Sequence, residues 1–560
     1  MKPATRLERA QALAAAADGR AAGQSERTVA AGVGRPRSTV REWAQAEVAS
    51  AEVPKALAAF VASVEGVQWL HRLVLALQFV ITLRAGGGVR LVCECLELSG
   101  LSAFVGASYG SQQGLNAALE QAMVAIAAEQ RTALAEHMAP RAVTVCEDET
   151  FHPAICLVAL EPVSGFIVLE QYAADRTAAT WTQALSAACA GLPITIVQGT
   201  ADEATALRRH IEGDYAAHHS PDLFHLQHEV AKATGLALAR AVHAADAEVA
   251  SAEAQLQQAR AAEQAYHAQR HGPGRPPAFA QRLRDALAAL ARATVTRDQA
   301  QSRQREARAL IRTLGEAYHP YDLARAAAQP PERLAARLEG IWQQLAGIAQ
   351  AADLPARAWA QLAKAQRLTT ALLATVTFFF ATIQQRIEAL NLAPDIEAAV
   401  LEQLIPALYI ERVAARSTGA EARTRLHALS AQVLAPLLEP DHPIQALDTE
   451  TRAHLEQVAG DCADLFQRSS SAVEGRNGQL SLHHHGRHRL SDRKLAALTA
   501  VHNFHIRRAD GTTAAERLFG RAPPPLFEQL LARVPLPPRP RPRRRRPPRS
   551  KVPHLTPLAA

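Results

Sequence analysis

Cysteine is scarce in this chain, with six in 560 residues (Cys93, Cys95, Cys146, Cys156, Cys189 and Cys462) at irregular spacing. Cys93 and Cys95 form a C-x-C, but no second pair stands nearby to complete a zinc site. This usage excludes a disulfide-stapled scaffold and predicts reduced thiols in a cytosolic protein. Long apolar runs are also missing. No apolar run reaches the roughly 18 to 20 residues of a membrane span, and the nearest, "TTALLATVTFFFATI", is too short and reads as a buried helix. The first thirty residues carry charge throughout and lack a signal-peptide core, so neither export nor membrane insertion is expected. Acid is absent from the last thirty residues. That segment holds eight arginines and one lysine, so the first 530 residues net to −2 although the whole chain is +7.

What is present falls into blocks. Within residues 1–55, "QSERTVAAGVGRPRSTVREWAQ" predicts a short helix, a turn permitted by Gly32 and Gly34, and a second helix starting near Ser38. Ala30, Ala31 and Val33 would pack on Val40 and Trp43. Arg35, Arg37 and Arg41 would meet phosphates while the second helix reads bases, as in a helix-turn-helix. Residues 56–140 read as helical. From about 141 the pattern changes: "AVTVCEDETFHP", "AICLVALEP", "GFIVLEQYA" and "PITIVQGTADE" predict four strands, with a helix between the third and fourth. A fifth strand is expected near "HSPDLFHLQHE". Residues 230–460 read as almost wholly helical, beginning with an Ala/Gln/Glu-rich coiled-coil arm broken at "RHGPGRPP". Mixed texture returns over 461–525, and 526–560 form a Pro/Arg-rich tail expected to be disordered. The fold class is therefore multidomain α with an α/β core.

The chemistry rests on acids. Asp148 ends the first predicted strand, Asp202 follows the fourth, and Glu474 lies in "SSSAVEGRNGQLSL". The intervals are 54 and 272 residues, so the three can meet only if the helical block is an insertion. Carboxylates brought together repel, and two divalent cations would neutralise them. Glu147 and Glu149 flank Asp148, and strand alternation sends both to the opposite face. Asp222, in "HSPDLFH", is an alternative to Asp202. His225 and His228, three apart on a helical turn, could orient the acids or touch a scissile phosphate.

These stretches, with "LSAFVGASYGSQQ" upstream and "VEGRNGQLSLHHHGRHRLSDRKLAALTAVHNFHIRRADGTTAAERLFG" downstream, frame residues 95–520 and resemble a family. The chain resembles bacterial insertion-sequence transposases that carry an Asp-Asp-Glu triad on a ribonuclease H-like core, in a group with a long helical insertion. The resemblance implies Asp148, Asp202 and Glu474 as catalytic and metal-holding residues, with Mg²⁺ or Mn²⁺, two ions per site. It implies cutting of double-stranded DNA at element ends and joining to target DNA, in a homodimer or higher oligomer. A bacterial cytoplasmic protein associated with the nucleoid follows.

Further residues would serve that DNA. The cations Arg476, Arg487, Arg489, Arg493 and Lys494 follow the glutamate, Asn477 among them would bond either the backbone or a DNA phosphate, and Arg543, Arg544, Arg545 and Arg546 make the densest part of the tail. Phosphate neutralisation by such residues predicts strong salt dependence. Two other functions fit the same residues: a structure-specific nuclease on this core, and an inactive DNA-binding regulator.

Overall fold

A computed structural model describes residues 6–46, 54–151, 154–270, 272, 274–487 and 490–537. The side chains of Arg41 and Arg487 lie outside that description, as do Arg489 and Arg543 to Arg546 entirely. The chain is a multidomain, mainly helical protein built around one mixed sheet. Its strands are β1 (Arg141–Phe151), β2 (Ile155–Glu161), β3 (Phe166–Ala173), β4 (Ile194–Ala201) and β5 (His218–Pro221), in the order β3-β2-β1-β4-β5. β2 runs antiparallel to β1 and β3, while β4 and β5 run parallel to β1. Gly165, at φ +75°, lies in the β2–β3 turn, a left-handed conformation that costs glycine little.

Each face of the sheet is covered. The crossover helix Ala178–Cys189, capped by Thr177, sets the fully buried Trp181 against one face. Helices Ser471–Arg487 and Asp492–Phe504 cover the other. Asn503 donates to the Ile167 carbonyl and accepts from its amide, both at 2.9 Å, and so satisfies backbone on the edge strand β3.

One hydrophobic core runs from Val61 through the sheet to Ala217 and resumes from Val473 to Val534. Residues 56–140, expected as a domain of their own, thus share the core of the sheet: helix Tyr109–Ala135 packs on Asp492–Phe504 and on helix Leu526–Arg533. That last helix buries Leu526 and Leu530, so the final segment begins as packed structure where a tail was expected from residue 526.

A second core, from Leu223 to Phe466, belongs to the helical insertion. Its aromatic centre includes Tyr318, Tyr321, Phe379, Tyr409 and Phe466. The insertion opens with helices Leu223–His267 and Phe279–Ala317. Gln227 bonds the Ile311 carbonyl at 2.7 Å near one end, and the Tyr266 and Phe279 rings meet at 5.1 Å near the other. The pair is therefore an antiparallel arm, whose first helix is about 67 Å long at 1.5 Å per residue. The insertion leaves and re-enters the sheet domain at one place: the Leu223 amide bonds the Arg468 carbonyl at 2.9 Å. Adjacent ends let a large module enter a domain without distorting it.

At the N-terminus, helices Arg6–Ala21, Glu26–Gly32 and Arg37–Ala46 pack on Ala16, Val29 and Val40. The first of these was not expected. Gly34 turns the chain at φ +66°, whereas Gly32 ends a helix and Ala31 is exposed. Two helical stretches, Val64–Arg84 and Ala356–Glu388, have the length and apolar composition of a membrane span, which corrects the reading that none does. Leu70, Val74, Leu75 and Phe79 of the first lie in the sheet-domain core, and Val376, Phe379 and Ile383 of the second in the insertion core.

Candidate active site

Strand register places the aspartates. Cys146 on β1 pairs with Thr200 on β4, and Thr200 with Ser220 on β5. Two residues further along each parallel strand come Asp148, Asp202 and Asp222. Asp148 lies inside β1, three residues before its end, whereas Asp202 and Asp222 directly follow β4 and β5, so the register brings the three aspartates level on adjacent strands, which are spaced about 4.8 Å apart. Glu474, in the first turn of Ser471–Arg487, approaches from the helix packed on that face. Glu147 and Glu149 point the other way. Glu149 accepts from Trp181 Nε1 at 3.1 Å, and Glu147 lies 3.6 Å from His210 Nε2.

Each acid is held differently. Asp148 accepts from the Glu149 amide and from Asn477 Nδ2, both at 2.8 Å. Burial is the main reason its carboxyl is pushed up to about 6, and the charges of Asp202 and Glu474 add to the rise. Asp202 caps its own turn through the Ala204 amide at 2.9 Å. Asp222 is buried and caps the arm helix: it accepts from the Phe224 amide at 2.8 Å, from His225 Nδ1 at 2.9 Å and from Ser470 Oγ at 2.5 Å. The bond to Asp222 holds the His225 imidazole above its ordinary range. Burial, with the charge of Asp222, raises the Glu474 carboxyl. His228 stacks on Phe224 with ring centres 6.0 Å apart and acts electrostatically on Glu474.

All six residues singled out as catalytic thus share one site, but the tightest grouping within it differs from the expected triad. Ligand atoms of Asp222, His225 and Glu474 all lie within 4.8 Å of one another, the one such group among the described residues. Asp148 and Asp202 stand beside it. Oxygen donors with one imidazole nitrogen suit a hard or borderline divalent cation, so the residues fit such an ion.

The cations expected to face DNA divide. Arg476 is 5 % exposed and forks onto Glu170 of β3 at 2.7 and 2.6 Å, and Lys494 is buried against Glu120 at 3.2 Å. Both expectations are corrected, because their neighbouring carboxylates sit inside the domain and draw the cations in. Arg493 also meets Glu120, at 3.1 Å, but remains half exposed. Asn477 is engaged by Asp148, where a backbone or phosphate partner was expected. Arg35 and Arg37 lie 3.6 Å from Glu8 and Glu26 in partly exposed pairs at the N-terminal helices. Ser470 and Glu170 were missed. The signal for Glu170 was a lone acid in the apolar run "FIVLEQY", which needs a buried partner.

Residues 400–546 match a family of unknown function, DUF6399. The matched stretch includes the final insertion helices, Glu474, Asn477 and the helices after them. No match is found among curated proteins.

Proposed function

We propose that the chain is a divalent-metal-dependent DNA transposase, with its triad on a ribonuclease H-like core and a helix-turn-helix at residues 1–55. The observation that carries this reading is the level row of Asp148, Asp202 and Asp222 on adjacent strands, with Glu474 on the helix packed against them. The strand order, with only β2 reversed, supports the same core. Asp148, Asp202 and Glu474 would hold the ions, with Asp222 and His225 beside Glu474. Bound there, Mg²⁺ or Mn²⁺ would neutralise the carboxylates and offset charge developing on the phosphoryl oxygens.

The protein's own groups orient the reaction. Asn477 fixes the Asp148 carboxylate, and Ser470 with the Phe224 amide fixes Asp222, which in turn aims His225. Raised in pKa, His225 can hydrogen-bond a phosphate oxygen or carry a proton to a leaving oxygen. In the first step a water oxygen joins phosphorus and the bond to the 3′-oxygen breaks, leaving a 5′-phosphate and a free 3′-hydroxyl. In the second, that hydroxyl attacks a target phosphodiester, and the displaced target 3′-oxygen takes up the proton. No covalent enzyme intermediate is needed.

The test is cleavage of the element's own terminal DNA with Mg²⁺, beside a metal-free control and Glu474→Gln. The variant should cleave at least about 10³-fold more slowly, a loss of several kcal/mol of transition-state stabilisation, while binding the ends within twofold. Cleavage without joined products would indicate a nuclease. Tight binding of true ends by the intact protein, with no cleavage, would leave only the regulator.

A further inference from the structure

Where the insertion meets the sheet domain, a cavity of about 320 Å³ is lined by Arg412, Arg416 and Arg468, with Tyr409, Ser417 and Thr418 among its other walls. One carboxylate, Asp464, lines it too, and that group is taken by Arg412 at 2.9 Å. Arg416 reaches only the neutral Gln467, at 3.3 Å, and Arg468 only the Gly315 carbonyl, at 2.8 Å. Among the described residues, neither Arg416 nor Arg468 has a carboxylate partner. Arg468 is enclosed enough for burial to push its guanidinium below the ordinary arginine range. A desolvated cation without a counter-charge is costly, and three guanidiniums against one carboxylate leave the cavity two charges in excess.

The chain adds donors at the same wall. Ser417, Thr418 and Gly419 lead into helix Ala420–Leu434, whose N-cap Gly419 supplies no side-chain acceptor, and Ala422 of its first turn lines the cavity. The first amides of a helix carry partial positive charge and accept an anion readily. Glu421 is exposed and is not among the lining residues. Arginine forks match the geometry of a phosphate's paired oxygens, which a lysine does not reproduce.

We infer that this cavity is a phosphate-binding site, formed by Arg416, Arg468 and the start of helix Ala420–Leu434, at the junction of the insertion and the sheet domain. The phosphate is either a backbone phosphodiester of DNA or a free phosphate anion. None of Asp148, Asp202, Asp222, His225 and Glu474 lines this cavity. Arg416 also acts electrostatically on Cys146 of β1.

Inorganic phosphate titrated into the full chain at low ionic strength, read by ³¹P line broadening or calorimetry, tests the site without any cleavage readout. Saturable binding is expected, weakened about tenfold or more by Arg416→Ala, an exposed position where truncation spares the core. Arg468→Lys, which keeps the charge and loses the fork, should weaken it too. Binding of a duplex of arbitrary sequence identifies the source. If the ligand is a backbone phosphate, Arg416→Ala also lowers duplex affinity and reduces the steepness of its salt dependence by about 0.9 in the log–log slope. Unchanged duplex binding with weakened phosphate binding assigns the site to the free anion. No saturable phosphate binding, or equal binding in Arg416→Ala, overturns the inference. Because phosphate binding needs no catalysis, that failure would leave the transposase reading standing, and the converse holds.

Discussion

Asp148→Asn is expected to lower Mg²⁺-dependent cleavage by at least about 10³-fold and, without divalent ions at pH 8, to raise the melting temperature by a few degrees. The second effect follows from the site. Burial and the nearby charges of Asp202 and Glu474 raise the Asp148 carboxyl from an ordinary 3.8 to about 6. A raised value means that the folded state holds the proton more tightly than the unfolded state does. The resulting stability is fully present below about pH 4 and is lost as pH rises through about 6. At pH 8 the ionised group therefore weakens the fold, by on the order of 2 to 3 kcal/mol. Asparagine removes that charge and nearly preserves the shape. Asn477 can turn its amide to meet it, since its Oδ1 is buried without a hydrogen-bond partner. The gain should fade as the pH is lowered to 4, and Mg²⁺ should stabilise the natural protein more than the variant. Melting curves at pH 4 and pH 8, with and without Mg²⁺, check all of this. A variant less stable at both values would show that Asp148 is not a strained carboxylate.

The second large effect falls on stability alone. Arg476→Ala should lower the free energy of unfolding by about 3 to 5 kcal/mol, because it leaves Glu170 ionised and enclosed without its partner. The carboxylate also accepts from Thr499 Oγ1 at 2.5 Å, a neutral contact that cannot replace the bidentate fork. Arg476→Lys should recover little, since a single ammonium cannot span both oxygens. Removing both charges together, as Arg476→Met with Glu170→Leu, should restore most of the stability. Urea unfolding of the four proteins measures this. If Arg476→Ala instead melts like the natural protein and loses DNA affinity, the guanidinium faces nucleic acid and its buried pairing is wrong.

The difference between Arg476 and Arg35 illustrates what can be read from residue type. Both are arginines in sequences suited to binding phosphate, and no local pattern separates them. One meets a carboxylate from a strand 306 residues away and is enclosed by it. The other stays at the surface beside Glu8. The same limit governs the acids. Strand ends pointed to Asp148 and Asp202, and Asp222 was visible as a rival. That all three lie level depends on the β1–β4 and β4–β5 registers, which no single strand carries. The hydrogen bond from Ser470 to Asp222 joins residues 248 apart and was beyond local reading.

By itself, the sequence determined the local elements: four strands and the crossover helix from β-branched and helical periodicity, the arm from its Ala/Gln/Glu run, and the need for an insertion from the spacing of its acids. These depend on neighbours a few residues apart, where periodicity and turn chemistry act. Only the tertiary structure decided which helices share the sheet's core, which carboxylates converge, and which cations are drawn inward. Those outcomes follow from burial and charge pairing between segments hundreds of residues apart, where the energy of a group depends on what encloses it.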